Sequence, residues 1–173
     1  MENNGCVTCG KSKATLVCGA CSASVCKYCA QILEDGAFSY LAKIPAALSH
    51  QVYCGTCYDK DVAAELQNYN ETMERAKEIQ VFFKAQSKET RLIKRPERKP
   101  FRITDCADHD ETVMRLAFLA AHANYNALIE VDIVYEKVRT NSYQTHIWSG
   151  TGLPANVEAR RLMRDRTFST DPN

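Results

Sequence analysis

Four Cys-x2-Cys pairs constrain this chain more than any other feature. They are Cys6/Cys9, Cys18/Cys21, Cys26/Cys29 and Cys54/Cys57, separated by gaps of 8, 4 and 24 residues. Two residues between thiolates let one tight turn bring both sulfurs to a single ion. Eight sulfurs complete two tetrahedral sites, so the sequence predicts two zinc ions per chain. A tetranuclear iron–sulfur cluster usually draws on a compact Cys-x2-Cys-x2-Cys run, which the sequence lacks.

The order of the pairs predicts how they share the two ions. The four-residue gap after Cys21 is too short for the chain to complete one site and travel to a distant second one. We therefore expect an interleaved arrangement. The first site takes Cys6, Cys9, Cys26 and Cys29, and the second takes Cys18, Cys21, Cys54 and Cys57.

Local sequence predicts the backbone around each site. Cys9-Gly10 and Cys18-Gly19 are typical of tight knuckles, whereas the residues after Cys29 and Cys57 are helix-like. Each ion is thus expected to receive one knuckle and one helix start, where the helix dipole favours thiolates. His50 is interpreted as a bystander, because eight cysteines already satisfy both ions.

The cysteine content indicates the cellular compartment of the protein, and the net charge limits the classes of partner. The first five residues have neither a basic nor an apolar region, so we expect no secretory signal. No run approaches the about 20 apolar residues that a transmembrane helix needs. Nine cysteines without a signal indicate a reducing compartment, which predicts a cytoplasmic protein. The formal net charge of +1 would become −3 with two zinc tetrathiolate centres, although the lysines at 11, 13 and 27 offset part of this locally. The chain therefore has no global attraction to nucleic acid or anionic lipid.

The remaining residues predict an α+β fold with four parts. These are a zinc-binding domain over residues 1–58, a connecting helix over 59–80, a small α+β domain with antiparallel strands over 81–156, and a C-terminal tail over 157–173. The connecting helix carries an apolar stripe at alternating four- and three-residue steps: Val62, Leu66, Tyr69, Met73 and Ala76. This stripe is expected to pack on a neighbouring domain or on a second copy of the chain.

The α+β domain is predicted as a helix followed by two strands. Residues 108–124 form the helix, with Asp108 as N-cap and Glu111 completing a capping box. Its small-residue face suits close packing on a sheet. In the first strand Ile129, Val131, Ile133 and Tyr135 are expected to share one face. A turn at 140–142 leads to a return strand from Tyr143, and the tail after residue 156 is expected to form a short helix.

A basic segment opens the predicted α+β domain. Eight Lys or Arg stand against two Glu, giving a local charge of +6; the basic positions are 84, 88, 91, 94, 95, 98, 99 and 102. One interpretation is a solvated hairpin, with strands at 79–83 and 101–104 and charged edges that discourage aggregation. The other is a site for an anionic partner such as nucleic acid. We favour the hairpin.

The spacing of the cysteine pairs resembles the cross-brace zinc fingers of the FYVE, B-box and RING-like group. The resemblance covers residues 6–57 and is closest to the FYVE finger, which shares the four-residue middle gap. It implies a treble-clef fold with two structural zinc ions. Phosphoinositide-binding FYVE domains carry a basic, histidine-containing run where this chain has Lys13-Ala-Thr-Leu-Val17, so we do not expect lipid-headgroup binding. Ubiquitin-ligase RING fingers have a ligand histidine and commonly a tryptophan before the last pair, which are also missing, so ligase activity is not expected.

A second resemblance covers about 40 residues of the C-terminal part. The run from Ala120 to Tyr135, followed by Ser149-Gly-Thr-Gly-Leu153, is similar to the helix–strand–strand core of the small bacterial YbjQ-like family. It implies an α+β fold, a bacterial source and a homo-oligomer, without catalysis.

The sequence contains no strong catalytic motif. No phosphate-binding glycine loop, His-Glu-x2-His or Gly-x-Ser-x-Gly sequence occurs. His109 among acidic residues is interpreted as a helix start, Cys106 as an inert thiol, and His122 and His146 as structural. The leading hypothesis is a non-enzymatic zinc-binding adaptor with an unknown protein partner. The alternatives are a nucleic-acid-associated protein and a dithiol oxidoreductase.

Overall fold

The computed structural model describes residues 5–11, 13–86, 90, 93, 99–140 and 143–158. The chain divides into two compact units, Met1–Glu71 and Thr72–Asn173. Helices and strands occur together in a mixed α+β arrangement, which confirms the predicted fold class. The domain boundaries expected from the sequence at residues 58, 80 and 156 stay predictions.

Four two-residue strands precede the helical part of the first unit. Leu16–Val17 (β1) pairs antiparallel with Ser24–Val25 (β2), and Gln31–Ile32 (β3) pairs antiparallel with Val52–Tyr53 (β4). A 3₁₀ turn occupies Ala46–Leu48. Strands this short bury little surface, so something other than strand pairing must hold them in place.

The predicted connecting helix is present, but it begins and ends earlier than expected, and Gln80 already belongs to a strand. Its helical run starts with Gly55–Cys57 (α1), passes through a π-turn at Tyr58–Val62, and continues as the α-helix Ala63–Lys77 (α2). Val62 is fully buried, and Leu66 and Tyr69 pack against the core of the first unit. The predicted stripe therefore packs within the chain along this part of its length.

The core of the first unit contains sulfur as well as hydrocarbon. Four cysteines are buried in one cluster with Val25, Leu33, Phe38, Leu48, Tyr53 and Val62; they are Cys6, Cys18, Cys26 and Cys54. Aliphatic and aromatic side chains alone give a small core for a segment of this length. Any stabilisation that these cysteines gain from a metal is therefore stabilisation of the core itself.

A four-stranded sheet forms the centre of the second unit. Its strands are Gln80–Phe83 (β5), Phe101–Cys106 (β6), Ala127–Thr140 (β7) and Tyr143–Ala155 (β8), in the order β5-β7-β8-β6. The β7–β8 and β6–β8 pairs are antiparallel, whereas β5 and β7 are parallel. A 3₁₀ turn follows β5 at Lys84–Gln86. The predicted hairpin between residues 79–83 and 101–104 is therefore wrong, because the two strands lie at opposite edges of the sheet.

The predicted helix over 108–124 is confirmed as His109–His122 (α3). The Asp108 side chain accepts a hydrogen bond from the Glu111 N–H at 2.7 Å, and the Glu111 carboxylate accepts one from the Ala107 N–H at 2.6 Å. These two bonds reproduce a capping box, with the second donor one residue earlier than expected. The Ala107 N–H and then Arg115 lower the pKa of Glu111, since both favour its carboxylate.

Glycines in β8 let α3 approach the sheet closely. A Cβ atom at Gly150 would lie 2.7 Å from the Thr112 methyl group and 3.1 Å from a Leu116 methyl group. Thr112 and Leu116 are fully buried on α3. The predicted close packing of this helix on the sheet thus depends on glycines at the facing positions of β8.

The prediction that Ile129, Val131, Ile133 and Tyr135 share one face of β7 is wrong for Ile129. The β7–β8 register shifts between Ile129 and Asp132, and Glu130 has a positive φ of 54°. This bulge turns Leu128 and Val131 toward Gly152 and α3, whereas Ile129 packs with Ala127, Ala155 and Val157. Ile129 and Val131, which were expected to share a face, therefore pack with different residues. Most of the predicted turn at 140–142 lies outside the described residues. Almost all of the predicted helix after residue 156 also lies outside them.

Candidate metal centres

The fold brings the eight paired cysteines together in the two interleaved sets that the spacing predicts. One set contains Cys6, Cys9, Cys26 and Cys29, and the other contains Cys18, Cys21, Cys54 and Cys57. Within each set all four sulfurs lie within 4.8 Å of one another. The sets also share one order of exposure, in which the first and third cysteines are buried, the second is exposed and the fourth is half-buried.

Sulfur–sulfur distances test whether each set fits one ion. Sγ of Cys9 lies 3.8 Å from Sγ of Cys26, and Sγ of Cys21 lies 3.9 Å from Sγ of Cys54. Four sulfurs at about 2.3 Å from a tetrahedral Zn²⁺ would lie about 3.8 Å from one another. A disulfide would instead require about 2.05 Å. The donor sets therefore fit a single tetrahedral ion each, and they are too compact to enclose an iron–sulfur cluster.

The first pair of each set lies on a knuckle of the same geometry. The Gly10 N–H donates to the Cys6 carbonyl at 2.8 Å, and the Ser22 N–H donates to the Cys18 carbonyl at 2.8 Å. Both donors have a positive φ, 71° for Gly10 and 59° for Ser22. The sequence pointed to Gly19 in the second knuckle, but the left-handed position is Ser22, which no sequence signal marks.

Replacing Gly10 with alanine and replacing Ser22 with glycine should have opposite effects on stability. Gly10→Ala places a Cβ in the left-handed region and should destabilise the metal-loaded first unit by about 1–2 kcal/mol. Ser22→Gly removes such a Cβ and should stabilise it by up to about 1 kcal/mol, after the entropy gained by the unfolded chain is deducted. Denaturant unfolding at constant zinc concentration measures both. Gly55→Ala is the control, because its Cβ meets nothing within 4 Å and its backbone is helical. Equal effects of the two knuckle variants would contradict the prediction.

Helix starts contribute to only one of the two sets. Cys54 is the N-cap residue of α1, as expected for the second set. After Cys29, however, the chain enters β3 instead of the predicted helix. The Cys26 carbonyl accepts from the N–H groups of Cys29 and Ala30, at 3.0 and 2.9 Å, which closes a single turn. The expectation of one helix start per ion is therefore wrong for the first set.

Backbone N–H groups single out one thiol in each set as the best thiolate. The N–H groups of Cys26 and Cys9 lower the pKa of Cys6 to about 6. Burial raises the pKa of Cys18, but the N–H groups of Cys54 and Cys21 outweigh it and lower that pKa to about 6. Four thiolates at these distances repel one another, so a cation at the centre of each set would be needed to keep all of them ionised.

The pKa of the last cysteine of each set is raised instead of lowered. A side-chain hydrogen bond with Cys26 raises the pKa of Cys29 to about 12. The corresponding bond with Cys54 raises the pKa of Cys57 to about 12. The metal-free sets therefore hold both favoured thiolates and strongly protonated thiols within a few ångströms.

His50 lies beside the second set without joining it. A Cβ atom at Gly19 would collide with the Cβ and ring atoms of His50, so the glycine leaves room for this side chain. The His50 N–H donates to the Tyr53 hydroxyl at 3.1 Å, and that hydroxyl donates to the Ala47 carbonyl at 2.8 Å. Gly19 thus allows a close packing contact, which is a role that the sequence did not reveal.

Other candidate residues remain separate from the cysteine sets. Cys106 is buried, and its Sγ donates to the Thr104 carbonyl at 3.7 Å. His109 packs between Phe83 and Trp148, with ring centroids 5.9 Å from each. His122 stacks on Phe118. His146 contacts Tyr135. Within the described ranges, none of these residues belongs to a group able to hold a metal.

Most of the basic segment lies outside the described residues. Lys84, Lys99 and Arg102 are described and exposed, and the Lys84 ammonium lies 3.5 Å from the Asp132 carboxylate. The anionic-partner interpretation of this segment therefore stays a prediction.

Two interleaved four-cysteine sets around short strands and knuckles define a zinc-finger-like arrangement, which is the class that the geometry supports. Comparison with protein-family models, curated proteins and solved structures gives no match for this chain. Among the described residues, the helices are all too short or too polar to cross a membrane.

Proposed function

We propose that the chain is a non-enzymatic, zinc-stabilised interaction protein of the cytoplasm, in which two zinc ions are structural. The observation that carries this proposal is the match between the sulfur–sulfur distances of 3.8 and 3.9 Å and the edge of one ZnS4 tetrahedron. Four cysteine ligands leave no open position for substrate or water, which is the usual difference between a structural and a catalytic zinc site.

Burial supports a structural role for the metal. The first and third cysteines of each set belong to the core of the first unit, whose strands are only two residues long. Zinc would link segments that are far apart in sequence, such as Cys18 and Cys54. The binding free energy would thereby become folding free energy.

We further propose that residues 6–57 are a FYVE- or RING-like cross-brace finger, and that the C-terminal part is YbjQ-like. The interleaving of the pairs and the four-residue gap after Cys21 support the first assignment. The order α3-β7-β8, with Gly150 and Gly152 in the last strand, supports the second. Neither assignment implies catalysis. The absence of an open position at either four-cysteine set supports an adaptor role, and self-association is the form of interaction that the YbjQ-like resemblance implies for the C-terminal part.

Metal analysis tests the proposal directly. Elemental analysis and native mass spectrometry of the purified full chain should find two zinc ions per chain and no iron. In the zinc-loaded chain a thiol reagent should modify at most Cys106, and a strong chelator should make the other eight thiols reactive. A folded chain without zinc would contradict the proposal. Reactive cysteines in pairs before chelation would favour the dithiol oxidoreductase.

A further inference from the structure

A basic cavity lies beside the first cysteine set. It has a volume of about 860 Å³ and is lined by Lys11, Lys13, Thr15, Cys26, Lys27 and Tyr28. Three of these six residues are cationic and none is acidic. The cavity belongs entirely to the first unit, and the structural role proposed for zinc does not involve its lysines.

The charge of this cavity is not balanced by carboxylates. Residues 5–33 contain no Asp or Glu. Across the described part of the chain, none of the ion pairs found involves these three lysines, and the Lys27 ammonium lies over the neighbouring Tyr28 ring at 5.0 Å from its centroid. A zinc-loaded first set would contribute a charge of about −2, which is less than the three ammonium groups supply. The cavity therefore remains positive when the metal is bound.

Exposed apolar side chains accompany the lysines. Tyr28 is 85% exposed and Val17 is 59% exposed. Along the segment that leads into β1, Lys13, Thr15 and Val17 are exposed, whereas Ala14 and Leu16 pack against the core. This alternation places the lysine, the threonine hydroxyl and the valine on one outward face. An exposed tyrosine next to such a face is typical of an interface anchor.

We propose that this cavity binds an extended acidic segment of a protein partner, with its carboxylates at the three lysines and an apolar side chain against Tyr28. This inference rests on the proposed adaptor function and names its partner class. The rest of the chain explains why the partner is a short acidic segment. Acidic residues follow at Glu34 and Asp35, and the zinc-loaded chain has a net negative charge. A long polyanion or an anionic membrane would extend beyond the cavity and meet this repulsion, whereas a short segment would not.

Fluorescence anisotropy with the zinc-loaded full chain tests the inference. The probe is a fluorescein-labelled peptide of glutamates around one central phenylalanine, and its glutamine counterpart is the uncharged control. The glutamate peptide should bind, and binding should weaken as salt is added. Combined Lys11→Glu, Lys13→Glu and Lys27→Glu exchange should weaken it about tenfold or more. The control combines Lys43→Glu and Lys60→Glu, which are exposed in the same unit and outside the cavity, and it should change affinity less than about twofold.

Further variants keep the test decisive if the triple exchange impairs folding. Lys13→Gln with Lys27→Gln should weaken binding in the same direction, and Tyr28→Ala should do so without changing the salt dependence. The inference is overturned if the chain with two zinc ions does not bind the glutamate peptide. It is also overturned if single-stranded DNA or phosphatidylserine vesicles bind more tightly through the same lysines. Absence of zinc from the folded chain would instead remove the proposed function, so the two failures are distinguishable.

Discussion

Replacing Cys18 with alanine is expected to unfold the first unit and to leave the second unit folded. Cys18 is fully buried, and it is the thiol of its set toward which the N–H groups of Cys54 and Cys21 point. Alanine removes one of four ligands. Structural zinc in finger peptides binds with about 10–16 kcal/mol, which is comparable to the entire stability of an ordinary domain. Losing even part of it exceeds what strands of two residues and a small core can offset.

The single tryptophan makes this result measurable. Trp148 lies in β8, with its ring centroid 4.9 Å from that of Tyr135 and 5.9 Å from that of His109. Its fluorescence therefore reports on the second unit, to which all three rings belong. In Cys18→Ala the emission spectrum should be unchanged, whereas amide resonances of residues before Glu71 should lose their dispersion. The zinc content should fall by at least one ion per chain.

Cys106→Ala is the matched control for this experiment. Cys106 is also a buried cysteine, but it lies in β6 and belongs to neither set. This variant should keep both zinc ions and the dispersed spectrum of the first unit, with a loss of about 1–2 kcal/mol confined to the second unit. If Cys18→Ala retains two zinc ions and a folded first unit, the role assigned to the metal is wrong.

Ligand spacing carried most of the information about the candidate site. A four-residue gap limits how far the chain can travel, so the interleaved pairing follows from chain geometry. The helix expected after Cys29 is absent because a single turn between Cys26 and Ala30 already places the fourth sulfur. Ser22 adopts the same left-handed conformation as Gly10, although a serine gives no signal for it. Backbone geometry at a ligand turn is imposed by the sulfur positions, and residue preferences alone do not reveal it.

Local pattern also predicted α3 and its capping, since both depend on neighbouring residues. Pairing between distant strands was not predictable in the same way. β5 pairs in parallel with β7, and β6 lies at the other edge of the sheet, so their proximity in sequence suggested a hairpin that does not form. The bulge at Glu130 likewise reversed the face of Ile129, because one additional residue shifts an alternating pattern by one step.

The second large effect is expected at the contact between α3 and β8. Gly150→Ala should destabilise the second unit by about 1–3 kcal/mol, because the new methyl group would lie 2.7 Å from the Thr112 methyl and 3.1 Å from a Leu116 methyl. Thr112 cannot easily turn away, since its hydroxyl donates to the Asp108 carbonyl at 2.7 Å. Denaturant unfolding followed by Trp148 fluorescence measures the loss, and the zinc content should remain unchanged.

A double-mutant cycle identifies the cause of that loss. Thr112→Ser removes the obstructing methyl group and keeps the hydroxyl that bonds to Asp108, so on its own it should cost about 1 kcal/mol. Combined with Gly150→Ala it should recover part of the alanine penalty, giving a coupling energy of about 0.5–2 kcal/mol. Gly152→Ala is the internal comparison, because its Cβ would lie no closer than 3.1 Å to the Val131 side chain and should cost less than Gly150→Ala. Additive effects of Gly150→Ala and Thr112→Ser would show that close approach of the helix does not explain the glycine at this position.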